Sequence, residues 1–146
     1  MTCGLTWQQW APQMSEQATR RKMGWLAITS MAGGLLLAFI GVRYLLLPEQ
    51  AAVTFGLPRR PPGHELYYII GMRNLWLGLL AVALATFRQW RALALWFAMG
   101  TIVCFADAAI AASSTGKLPQ IVFHITCGVA SALLALGLWR VAARQG

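Results

Sequence analysis

The sequence predicts an all-α fold, an integral membrane, antiparallel four-helix bundle, and three observations predict it. First, 58% of the 146 residues are hydrophobic and 11% are charged, where soluble domains carry about 25% charged residues. The mean hydropathy of +0.59 agrees. Second, four apolar stretches, 23–47, 66–87, 92–112 and 121–139, each approach the roughly 20 residues that a helix needs to cross the hydrocarbon core. Third, these runs are rich in Leu, Ala and Met and lack two-residue alternation, so they read as helices and not as barrel strands. Intrinsic disorder and a water-soluble enzyme around one core are both excluded.

The elements follow in order. Residues 1–22 form an N-terminal tail, and those before Met14 carry no functional signal. Thr19-Arg20-Arg21-Lys22 resembles a twin-arginine export signal. The long apolar run behind it has no small-residue cleavage site, so it reads as an uncleaved first span. Pro48 to Glu65 mixes Val53, Phe55 and Leu57 with Pro58, Pro61 and Pro62. The prolines oppose a continuous helix, and the apolar residues place the segment on the membrane surface as a linker. His64 within it reads as solvated. Phe87-Arg88-Gln89-Trp90-Arg91 only turns the chain, with Trp90 at the interface. The membrane domain covers 23–140, and residues 141–146 are a second tail.

The net charge of +8, from 12 Lys+Arg against 4 Asp+Glu, would signal nucleic acid in a soluble protein. Here the basic residues flank apolar runs, so they are topology signals and no nucleic-acid partner is expected. With four spans both termini share a side. That side carries Arg20, Arg21, Lys22, Arg88, Arg91, Arg140 and Arg144, against Arg59, Arg60 and Lys117 on the other. The excess places both termini in the cytoplasm of a bacterial inner membrane or its equivalent.

Within the spans the charged or readily charged residues are Arg43, Arg73, Asp107 and His124. A charge at a helix centre costs about 2.5–3.5 kcal/mol on insertion scales, so such groups require partners. Counted from the outer span ends, Arg43 lies about 6 Å deep, Arg73 about 10 Å, Asp107 about 7 Å and His124 about 5 Å. One such residue per helix at one level predicts a shared polar pocket in the outer third of the bundle. Helix faces support it for three of the four. Asp107 lies on the stripe Gly100, Cys104, Asp107, Ala108 and Ala111, and His124 on His124, Gly128, Ser131 and Ala135. Arg73 sits at the edge of Gly71, Asn74, Gly78, Ala81 and Ala85, within reach of the interior through its long stem. Arg43 points nearly opposite to Gly41 on the small-residue face Gly34, Ala38 and Gly41. Asn74, Tyr68, Trp76 and Arg43 complete the expected substrate-binding set around the catalytic Asp107, His124 and Arg73.

Each of these residues has a structural alternative. Asp107 and Arg73 make a buried ion pair that fixes register, His124 bonds a backbone carbonyl or interfacial water, and Arg43 reaches to the headgroups. Most tryptophans and the pair Tyr67-Tyr68 read as interface anchors or lipid-facing bulk. Three cysteines, Cys3, Cys104 and Cys127, form no CxxC spacing, so no disulfide scaffold is indicated. Cys104 and Cys127 accompany Asp107 and His124 at three-residue spacing. Without a double-ligand motif this is a weak metal or redox signal, and no metal or cofactor is expected.

Gly71-Met72-Arg73-Asn74-Leu75-Trp76-Leu77-Gly78, the Phe55-Gly56-Leu57 segment after Pro48, the lone Asp107 and the lone His124 together resemble a small four-span membrane family of bacteria and fungi catalogued as a domain of unknown function. The resemblance covers about Gly24 to Arg140. Asn74 stands where that family tends to carry Asp. The build also looks like the DoxX-type four-helix membrane proteins. Similar fungal membrane proteins are tied to secondary-metabolite pathways and epoxide opening, so the resemblance implies such chemistry here.

Two functions are therefore expected to compete. One is a membrane-embedded acid/base enzyme on a small lipophilic substrate, of epoxide hydrolase, isomerase or cyclase type. In it Asp107 activates water or takes a proton, Arg73 keeps Asp107 ionised, and His124 relays the second proton. The alternative is a non-catalytic accessory subunit or small transporter that binds an anionic or amphiphilic ligand in the same pocket, and this reading expects a homo-oligomer.

Overall fold

The computed structural model describes residues 7–57 and 65–144, with side chains from residue 23 onward. The basic run Arg20-Arg21-Lys22 therefore lies outside the described side chains, and Arg59, Arg60 and His64 lie outside the described residues. Five helices follow one another: α1 (Trp7–Leu46), α2 (Pro48–Phe55), α3 (Glu65–Thr86), α4 (Trp90–Ser114) and α5 (Leu118–Ala143), with no strand among the described residues. Met23–Leu46 of α1, and the whole of α3, α4 and α5, are long and apolar enough to cross a membrane. The chain is an integral membrane protein with an all-α bundle. In hydrocarbon every backbone N–H and C=O must be paired inside its own segment, which a helix achieves.

Only 17% to 22% of each span's most apolar window is buried within the molecule. Trp25, Phe39, Leu79, Met99, Ile102 and Leu133 all face outward, where lipid takes the place of a protein core. With no hydrophobic drive between helices in lipid, close backbone packing holds them together. The sequence supplies it between α1 and α3, which pack along each other as α4 packs along α5. A Cβ added at Gly41 would fall 2.7 Å from the Gly71 carbonyl oxygen, and one at Gly34 would fall 2.8 Å from that of Gly78. A Cβ at Gly78 would strike the backbones of Gly34 and Ala38. Gly34 against Gly78 and Gly41 against Gly71 define an antiparallel register in which the two helices touch main chain to main chain.

Two buried clusters join the α1–α3 pair to the rest. At the turn end, Ala81, Ala85, Trp90, Leu93, Phe97, Ala135 and Leu138 form a core across α3, α4 and α5. Trp90 is 6% exposed and so is a core residue, not the interface anchor that its place beside a short turn predicts. At the opposite end Tyr44, Ala51, Ala52 and Tyr67 are buried together, with Ile40, Phe55, Leu57 and Ile70 packed on them. Tyr67 therefore differs from Tyr68: it faces inward where both were expected at the lipid boundary. The segment expected as a linker begins with two turns of helix. Pro48 occupies the first position of α2, where its missing N–H costs nothing, and the remaining prolines come after the helix has ended.

Candidate functional site

The end of α2 organises this half of the molecule. Gly56 adopts φ 108°. Its N–H reaches the Val53 carbonyl at 3.3 Å, and the Leu57 N–H reaches that of Ala52 at 2.9 Å. This paired reversal needs a left-handed residue, which glycine adopts without steric cost. A terminated helix leaves its last carbonyls unpaired, and α4 and α5 pair two of them. The His124 Nε2 lies 3.1 Å from the Phe55 carbonyl oxygen, and the Thr115 hydroxyl donates to the Gly56 carbonyl at 3.0 Å. A carbonyl only accepts, so His124 Nε2 carries the proton and donates it. The ring is 6% exposed and is packed by Phe55 at 4.4 Å and Phe123 at 5.5 Å between centroids. His124 thus makes the backbone-carbonyl bond that was the structural alternative to its catalytic reading. Arg43 is also tied to α2, donating to the Thr54 hydroxyl at 3.3 Å.

A buried phenol lies at the same end of the molecule. Tyr44 is 1% exposed, and its hydroxyl has no hydrogen-bond partner among the described residues. Its ring lies 6.1 Å from that of Tyr67. Asp107, Arg43 and Arg73 all lie within electrostatic range of Tyr44, and Asp107 is within range of both His124 and Arg73. The register that sets Gly128 against the Phe105 ring brings Asp107 and His124 to a common level. Asp107 is half-buried and belongs to neither buried cluster. Among the described residues, no hydrogen bond or ion pair within 4 Å joins it to Arg73 or His124. Asn74 is half-buried on the α1-facing side of α3, in line with Gly71 and Gly78.

Tyr44 was not among the residues singled out from the sequence. A signal for it existed, because the buried face of α1 runs Ser30, Gly34, Ala38, Gly41 and Tyr44. The next position on the small-residue stripe is therefore a phenol, where a helical reading places it on the packed face.

Tyr68, Arg73 and Trp76 come together on a different surface. With Ile69 and Met72 they line an open groove on the outward face of α3, and Tyr68 and Trp76 are 46% and 54% exposed. Cys104 and Cys127 are free thiols, each partly buried. Among the described residues no group of three or more His, Cys, Asp or Glu side chains is gathered as a metal ion would require.

No curated protein and no solved structure matches the chain. One family profile does, that of a domain of unknown function, DUF4267, over residues 34–140. The matched stretch takes in the glycine seam of α1 and α3, the whole of α2, and both Asp107 and His124. On that match the chain belongs to the DUF4267 family.

Proposed function

We propose that the protein is a membrane-embedded acid/base enzyme acting on a small lipophilic substrate, with water opening of an epoxide as its representative reaction and isomerisation or cyclisation as chemistry open to the same groups. The observation that carries this reading is the Tyr44 hydroxyl, buried without a partner in electrostatic range of Asp107. A buried phenol left unpaired costs about 1–3 kcal/mol, and a substrate oxygen gives it the acceptor it lacks. Asp107 takes a proton from water as the water oxygen attacks an epoxide carbon. The carbon–oxygen bond breaks, the departing oxygen takes the Tyr44 proton, and the proton on Asp107 returns to the tyrosinate to close the cycle. Arg73 contributes a positive charge within electrostatic range of the Asp107 carboxylate. His124 holds α2 over the site through its bond to the Phe55 carbonyl.

The test is turnover of a lipophilic epoxide such as trans-stilbene oxide by protein reconstituted in liposomes. Diol formation by the wild-type protein, abolished in a folded Asp107→Asn variant, supports the reading. Full activity in Asp107→Asn removes the carboxylate from the mechanism.

A second reading, a non-catalytic ligand-binding or accessory protein, is favoured by one observation: the Nε2 proton of His124 is already given to Phe55. It predicts no turnover of any such substrate, and an oligomer in detergent.

The orientation that goes with the first reading puts both termini and the 86–90 turn in the cytoplasm of an inner membrane or its equivalent, and α2 at the outer surface. The distribution of basic residues supports it. Reporter fusions at residues 88 and 117 should score as cytoplasmic and external respectively.

A further inference from the structure

We propose that the outward face of α3 is a binding groove for an anionic phospholipid, whose phosphate sits on Arg73 and one of whose acyl chains runs along Met72 and Trp76. The observation is a charge in an apolar setting. The groove is lined by Tyr68, Ile69, Met72, Arg73 and Trp76, and Arg73 is exposed within a span. Among the described residues Arg73 makes no ion pair and no hydrogen bond. Asp107, on α4, is within electrostatic range of it but makes no hydrogen bond or ion pair with it. A guanidinium at a lipid-facing position needs an anion, and the molecule leaves that place to its surroundings.

Direction makes the anion a headgroup. Side chains of an α-helix lean toward its N-terminus, and α3 begins at Glu65, at the end where α2 lies. Arg73 therefore reaches back toward the Ile69 and Tyr68 turn, toward the headgroup layer and away from the bilayer centre. The planar guanidinium matches two phosphate oxygens at once. Tyr68, a turn further out, adds a hydroxyl at the rim, while Met72 and Trp76 extend the groove toward the bilayer centre for about one turn below the charge. The head is thus at the top and the chain below, as in a lipid lying in its own leaflet. This site goes beyond the acid/base reading and does not depend on it.

The experiment is native mass spectrometry of the purified full-length protein in detergent with equal amounts of phosphatidylglycerol and phosphatidylcholine. Phosphatidylglycerol adducts should exceed phosphatidylcholine adducts by about fivefold, the preference that one basic residue at a membrane surface confers. Arg73→Gln should bring the ratio to one, Arg73→Lys should keep part of it, and Trp76→Ala should reduce adducts of both lipids. Arg43→Gln should leave the preference in place. Asp107→Asn, which ends the proposed chemistry, should keep or raise it, so the two ideas fail separately. Three results would overturn the proposal: equal retention by the wild-type protein, an unchanged preference in Arg73→Gln, or displacement of phosphatidylglycerol by an equal amount of oleate, which would make the occupant a free fatty acid.

Discussion

His124 and Phe55 are 69 positions apart in the chain, yet the histidine Nε2 donates to the phenylalanine carbonyl at 3.1 Å and the two rings pack at a tilt, 4.4 Å between centroids. This contact, with that of Thr115 on Gly56, ties α2 to α4 and α5 at an end where the larger buried cluster of those helices does not reach. Replacing His124 with Ala leaves the Phe55 carbonyl without its partner in an apolar place. The expected loss is about 1–3 kcal/mol, read as a lower unfolding temperature in detergent together with faster protease cleavage near residue 56.

Gly56→Ala tests the same docking through the backbone. An L-residue held at φ 108° is strained by about 1–2 kcal/mol, and the new Cβ would stand 3.0 Å from that of Ala111. The variant should unfold at lower temperature than wild type, and protease should cut its α2 segment sooner. Wild-type stability would mean that α2 does not need this turn.

The seam of α1 and α3 predicts a contrast between glycines. Gly78→Ala drives a methyl into the Gly34 and Ala38 backbones, and such overpacking costs about 1–3 kcal/mol. Gly100→Ala, on α4, meets nothing within 4 Å and should be neutral or should gain about 0.5–1 kcal/mol from the lower flexibility of alanine in a helix. Thermal unfolding of the two purified variants should move in opposite directions, or in one direction only for Gly78.

Tyr44→Phe separates function from structure. Its hydroxyl bonds nothing among the described residues, so removing it should leave stability unchanged or raise it by about 1 kcal/mol. The proposed acid/base step should slow by about 100-fold or more. Equal rates of epoxide opening with and without the hydroxyl would take Tyr44 out of the mechanism.

The four spans and the small-residue faces of α1 and α3 were legible in the chain, whereas on α4 Gly100, expected on the packed stripe, meets nothing within 4 Å. A 3.6-residue period of glycine and alanine in an apolar run marks a face for close helix packing, and Gly71, Gly78, Ala81 and Ala85 are all buried as that period requires. Helical rise likewise converts position along one span into an expected depth for Asp107 and His124. Period and rise, however, describe one helix at a time.

Which faces meet, and what covers their ends, was decided only by tertiary structure. Nothing local in Pro48-Glu49-Gln50-Ala51-Ala52-Val53-Thr54-Phe55 shows that its last carbonyls will be satisfied by a histidine and a threonine far along the chain. Tyr67 is a different case: it stands four residues before Gly71 on the small-residue face of α3, and it is buried while Tyr68 is exposed. Their 100° separation becomes inside and outside only once α1 lies against one of them. Composition and periodicity therefore made this chain a four-span membrane bundle, because hydrocarbon admits few other solutions. The contacts between helices then chose which of its polar side chains to bury, to bond, and to leave facing the bilayer.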